Sequence, residues 1–242
     1  MFAGHHWLGN AINLTDENGR VIPAKDYPFG FYNGQVELTY GQINGLAGDF
    51  YGTEEAISGE NDSEDDSLEQ QIIRFKKAYL TMAEASPAAP NRQPWEINQI
   101  LRMLAKEVKE VEAVYTAGGN PSKIYPEIEG KAWELEMQAI TLDRPAGQRT
   151  YAGLTWHNFD HFGEDAETAY NAGHTLALRT AGQGDLDQAY RLNAFADHFL
   201  EDRFAAGHLR TPRRALHGNY FWDSYIDFLA MASILFIQTW DL

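Results

Sequence analysis

Residues 193–208 read Asn-Ala-Phe-Ala-Asp-His-Phe-Leu-Glu-Asp-Arg-Phe-Ala-Ala-Gly-His, and the rest of the chain is organised around them. On a helix, His198 and Asp202 stand four residues apart, so an imidazole and a carboxylate emerge one turn apart on the same face. Gly207 offers a place to end that helix and delivers His208 just beyond it. The three side chains then form a platform for a divalent cation. Taken alone, a His/Asp pair at this spacing is an ordinary hydrogen bond, so the reading depends on what else the chain supplies.

The other histidines are grouped rather than scattered. His5 and His6 lie near the amino terminus, His157 and His161 flank Asp160 in Trp-His-Asn-Phe-Asp-His-Phe, and Asp49 sits in Leu-Ala-Gly-Asp-Phe-Tyr-Gly. The chain has no cysteine, which leaves imidazole and carboxylate as ligands and suits zinc or a similar divalent ion. His174, thirteen residues beyond His161, falls several turns along its helix and is expected to be a packing or supporting histidine.

The 242 residues, 44% hydrophobic and 13% aromatic, are enough for one large domain with a real core. A formal net charge of −16 argues against an electrostatic footprint for nucleic acid. No basic region followed by an apolar stretch opens the sequence, so no signal peptide is visible; a secreted or exported protein is the expectation.

Hydrophobic periodicity predicts an all-α domain. Residues 1–35, rich in Gly, Asn, Pro and aromatics, read as loop over a helical body. A short helix is expected within 35–51, ending near Gly48 or Gly52, so that Asp49 falls at a helix end or turn. The acidic stretch 53–67 reads as a solvated loop. Helices follow over 68–85, 95–116 after the interruption by Pro87, Pro90 and Pro94, 128–142, 160–180 with Asp160 and His161 in the first turn, and 186–206. An apolar helix packed on the same domain is expected over 218–242. Its uninterrupted apolar run, 228–237, is far shorter than the roughly twenty residues that a membrane span needs.

Three blocks carry a resemblance: Gly-Gln-Ile-Asn-Gly-Leu-Ala-Gly-Asp-Phe-Tyr-Gly at 41–52, Asn-Phe-Asp-His-Phe at 158–162, and residues 196–213. With the amino-terminal His region they span most of 5–217 and resemble the zinc-dependent phospholipase C and P1 nuclease superfamily. The wording is most similar to the branch that hydrolyses phosphatidylcholine-type lipids. The resemblance implies an all-helical fold of that type holding two or three zinc ions. It implies that Asp49, His161 and His198 bind one ion, that Asp202 bridges to a second bound by His5, and that His208 and His217 belong to a third. In the superfamily that third site is completed by an acidic residue four beyond the second histidine, where this chain has Phe221.

The activity implied is hydrolysis of a phosphodiester in a phospholipid, releasing a phosphorylated headgroup at a membrane or micelle surface. Asp49 is the expected general base, with Asp160 in reserve. Phe50, Tyr51, Trp156 and Phe162 are the aromatics expected to receive a choline headgroup. Two other readings remain: a single-strand nuclease of the same superfamily, which the negative charge disfavours, and a zinc-stabilised helical interaction protein whose incomplete cluster does not turn over.

Overall fold

The computed structural model describes residues 2–59, 66–124, 131–144 and 148–216. The expected helix over 218–242, His217, and the middle of the acidic loop lie outside these residues. The described structure is mostly helical, 65% helix against 8% strand, in keeping with the all-α expectation.

Its centre is a helical hairpin. Helix α7 (Gly163–Gly182) turns through Gln183 and Gly184 into α8 (Leu186–Asp202), where Asp185 caps the start by accepting from the Gln188 amide at 3.0 Å. The face of α7 toward α8 is built from small residues, Ala166, Ala169, Ala172, Gly173 and Ala177, all buried. That lets the bulkier face of α8, with Leu192, Phe195 and Phe199, pack close. Helix α3 (Leu68–Ala83) covers the pair, and its Phe75 stands edge-on to Phe195 at 5.6 Å. The Ser67/Gln70 capping box starts α3.

The amino-terminal region differs from the loop expected over residues 1–35. Residues Phe2–Asn10 form helix α1, and two hairpins follow: β1 (Asn13–Thr15) with β2 (Val21–Pro23), and β3 (Phe29–Phe31) with β4 (Val36–Leu38). Strands of three residues are too short to show a period. Helix α1 carries Gly4 and Gly9, so tertiary contact rather than propensity holds it. That contact is with α2 (Tyr40–Leu46), which lies within the expected 35–51 and is started by a Thr39/Gln42 capping box. A Cβ on Gly45 would lie 2.6 Å from the Phe2 ring, and one on Gly41 would collide with the His6 carbonyl. Backbone-to-backbone proximity at these glycines brings α1 in against the body.

Three further boundaries move for physical reasons. Helix α4 (Arg92–Thr116) includes Pro94 in its first turn, where an amide has no helical acceptor, so that proline does not break it. Helix α5 (Lys131–Thr141) and the short α6 (Tyr151–Trp156) follow. Asp160 and His161 lie on a separate 3-10 turn, Phe159–His161, and Phe162 is extended before α7 begins. The expected helix 186–206 stops at Asp202; Arg203–Ala205 turn, and Gly207 and His208 sit on a second short helix, α9 (Ala206–Arg210), followed by α10 (Arg213–Leu216). No helix among the described residues is long and apolar enough to cross a membrane.

Gly173 tests the packing at the centre. A Cβ there would meet the Phe75 ring at less than contact distance and Ala196 Cβ at 2.7 Å. Gly173→Ala is expected to lower stability by about 1–3 kcal/mol despite its better helix propensity. Urea unfolding checks this, and an unchanged or raised midpoint would contradict the packing account.

Candidate metal centre

Asp202, at the carboxyl end of α8, is 3% exposed and faces four imidazoles. Its Oδ2 lies 2.5 Å from His161 Nδ1 and 3.3 Å from His198 Nε2; its Oδ1 lies 3.5 Å from both His5 Nε2 and His208 Nδ1. The four histidines come from α1, the 3-10 turn before α7, α8 itself and α9. Each oxygen therefore serves a different pair, which is the disposition of a carboxylate that can bridge two ions.

Two groups among the described residues could hold a metal: His5, His198 and Asp202, and Asp49, His161 and His198, with the ligand atoms of each group within 4.8 Å of one another. These are the ligand sets that the sequence resemblance implied for its first two ions, except that His198 belongs to both. His208 faces the same carboxylate. His217 lies outside the described residues.

The contacts behind the ligands decide which atoms they present. His198 Nδ1 lies 2.9 Å from the Asn44 carbonyl, which only accepts, so Nδ1 carries the proton and Nε2 turns a lone pair into the site. His5 donates from Nδ1 to Glu201 Oε2 at 2.6 Å and directs Nε2 toward Asp202 Oδ1, where it carries a proton that a cation would replace. Asn44 Nδ2 in turn donates to Glu201 Oε1 at 2.7 Å, so one asparagine and one glutamate orient both rings. The His5 and His198 rings stack at 4.1 Å.

Gly48 makes the convergence sterically feasible. Its φ is +64°, and a Cβ would lie 2.6 Å from His161 Cε1 and 2.9 Å from His198 Cδ2. Only glycine combines this left-handed backbone with the approach of two rings. Asn44, Gly48 and Glu201 escaped the sequence reading. Their signal was present only as neighbours of the ligands within the quoted blocks.

Burial and mutual charge set the protonation. Burial drives the His198 imidazole well below its ordinary pKa, and proximity to His5 adds to this. Burial likewise lowers His208. At His5 burial acts downward too, but hydrogen bonds to Asp202 and Glu201 outweigh it and raise the pKa to about 9. At His161 burial is overcome by Asp202, and the pKa rises. Burial opposes ionisation of Asp202, yet His198, His161 and His208 together hold its carboxyl well below the usual range.

These atoms fit a cation. The His161 Nδ1 proton points between Asp202 Oδ2 and His198 Nε2, the latter 3.2 Å away, and does there what a metal ion would do. His208 Nδ1 is buried without a hydrogen-bond partner. The inward lone pair of His198, the unpartnered His208 nitrogen and an ionised carboxylate, buried together, are satisfied by a divalent ion with N and O ligands.

The remaining candidates fall elsewhere. Asp160 does not join either group; its two oxygens accept from the amides of Ile57 and Ser58 at 2.7 and 2.9 Å, fixing the loop after Tyr51. His6 pairs with Asn10, His157 contacts the Gly153 carbonyl, and His174 bonds Asn193 Oδ1 at 2.7 Å, a supporting role as expected. Of the four expected aromatics, Phe50 lines a cleft of about 160 Å³ that opens over Asp49, His161, Asp202 and His208. Tyr51 is core, donating to Glu96, and Phe162 packs edge-on to His208. Trp156 is not among the residues that line the cleft. Trp133 and Tyr151, which the sequence reading did not select, line it instead.

Compared with protein-family models, with curated proteins and with solved structures, the chain gives no match.

Zinc binding to the folded state alone would add about 2.7 kcal/mol of stability at a hundredfold excess over Kd. A rise in Tm on adding zinc after chelation is expected, and Gly48→Ala should lose most of that rise. Equal rises in both proteins would show that the ion binds elsewhere. A separate pH effect is expected from Asp197, whose carboxyl burial raises to about 6, against the opposing hydrogen bond from Tyr40. Between about pH 4 and 6 the folded chain holds a proton there that the unfolded chain has lost, so this contribution to stability declines as pH rises through that window. Asp197→Asn does not titrate; its stability relative to wild type should climb by on the order of 2 kcal/mol from pH 4 to 7. Parallel denaturation curves across that range check it.

Proposed function

We propose that this chain is a zinc-dependent phosphodiesterase of the phospholipase C and P1 nuclease type, acting on a phospholipid to release its phosphorylated headgroup. The observation that carries the reading is the convergence, from separate parts of the chain, of His5, His161, His198 and His208 on the carboxylate Asp202, with Asp49 grouped beside His161 and His198. Sequence blocks that resemble that superfamily supply these same residues.

Divalent ions held by these residues would neutralise negative charge developing on the phosphoryl oxygens and lower the pKa of a water to near neutrality. The chain's own residues do the remainder. Asp202 and the four imidazoles position the phosphate end of the cleft. Asp49 stands at its floor, half-buried and in reach of His161 and His198. Burial raises its carboxyl, but positive charge around it, that of the amino terminus first and then of His198 and His161, pulls it below the ordinary value, so it is ionised and able to take a proton from attacking water. The aromatic walls exclude bulk water and receive the substrate's organic part.

Among the described residues that line the cleft there is no lysine or arginine, which, with the net charge of −16, favours a lipid diester over a nucleic acid polyanion. The test is release of phosphorylated headgroup from phospholipid in mixed micelles by the zinc-loaded protein, alongside hydrolysis of single-stranded DNA. Headgroup release abolished by chelator and restored by zinc is expected. Asp49→Asn should lower kcat by at least about a hundredfold, with zinc content measured in parallel to separate loss of the base from loss of the ion. DNA cleavage without lipid turnover would replace this reading by the nuclease one, and bound zinc with neither activity would leave a metal-stabilised binding protein.

A further inference from the structure

The cleft over the metal centre is walled by rings and by one acid. Tyr151 stacks on Phe50 at 5.5 Å and meets Trp133 edge-on at 5.7 Å. Glu107, from the middle of α4, enters the same wall although it is 1% exposed. Its Oε1 accepts from the Ala3 amide at 2.9 Å in the first turn of α1, a favourable place for negative charge. Its Oε2 has no hydrogen-bond partner, and neither has the indole Nε1 of Trp133; both atoms are buried.

An orphaned carboxylate oxygen and an orphaned N–H in one small cleft are a costly combination, because each forfeits hydration without replacement. Burial also pushes the Glu107 carboxyl up from its ordinary value. The two atoms ask for opposite things: Oε2 for a donor, preferably cationic, and Nε1 for an acceptor. Choline phosphate meets only the second demand, through a phosphate oxygen, because its quaternary ammonium has no N–H to give Oε2. A primary ammonium joined by two carbons to a phosphate answers both. Its N–H groups can reach Oε2 while the rings face the cation, and a phosphate oxygen can accept from Nε1. A volume of about 160 Å³ suits a group of that size.

We propose that Glu107 and Trp133 form a headgroup subsite selecting a primary ammonium, so that ethanolamine-type phosphodiesters are favoured over the choline type. Glu107 is the specificity-determining residue, and its acceptance of the Ala3 amide is a second, structural duty. The proposal rests on the phosphodiesterase reading for turnover but not for binding, and the experiment uses both.

Zinc-loaded wild type and Glu107→Gln are compared on phosphatidylethanolamine and phosphatidylcholine in the same mixed micelles. In parallel, ethanolamine phosphate and choline phosphate are titrated calorimetrically. Glutamine can still accept from Ala3, so the fold is kept while the charge is removed, and Tm verifies this. Wild type is expected to favour the ethanolamine ligand about tenfold or more, both in kcat/KM and in Kd, and Glu107→Gln to lower that ratio about tenfold. Trp133→Phe, which keeps a ring and removes the N–H, should weaken both phosphates without changing the ratio. A wild-type ratio near one or favouring choline, or a ratio unmoved by Glu107→Gln, overturns the subsite. Selective binding of ethanolamine phosphate without turnover upholds it and overturns the phosphodiesterase reading instead.

Discussion

The arrangement depends on a single buried carboxylate. Asp202 has four imidazoles within 3.5 Å of its two oxygens, in a place where burial alone would favour its neutral form. Ionised, it attracts protons or cations to the rings around it: His5 Nε2 faces it as a proton donor, and the inward lone pair of His198 can be reconciled with it only through a shared positive charge. Removing one partner would leave the rest uncompensated in a dry pocket. The centre is therefore cooperative: the ligands are stable together or not at all.

Bringing those groups together requires backbone to approach backbone. Gly41 and Gly45 let α1 lie against α2 and carry His5 to the site. Gly48 lets His161 and His198 meet over its own Cα, and Gly173 lets Phe75 of α3 wedge against the hairpin that holds Asp202. At each of these points a methyl group would occupy space already filled by a ring or a carbonyl. Asn44 and Glu201 complete the arrangement by directing the ring nitrogens, so the metal centre and the α1–α2–α8 packing are one structure viewed at two depths.

The cleft has two ends of different chemistry. At its floor, carboxylates and imidazoles suit ions and phosphate oxygens; along its wall, Phe50, Tyr151 and Trp133 suit an organic group, and Glu107 adds one negative charge. Glu107 also holds the first turn of α1, which carries His5. The same side chain thus links the organic end of the cleft to the placement of a metal-site ligand.

The sequence by itself determined the mostly helical body, the helices α3, α4, α7 and α8 to within a few residues, and the ligand types. Apolar residues at helical spacing and Ser, Thr or Asp caps are local signals, and His198 with Asp202 is a local spacing. It misread what local signals do not encode. Helix α1 exists because glycines let it touch α2, Pro94 is harmless because it sits in a first turn, and Asp160 is held away from the cluster by two loop amides. Only the tertiary structure decided that His5, His161 and His208 meet Asp202, that Asp49 joins His161 and His198, and that Tyr151 and Trp133 rather than Tyr51 and Trp156 face the cleft. The physical reason is that a ligand's identity is carried by its own residue, whereas its direction is set by contacts with residues a hundred or more positions away.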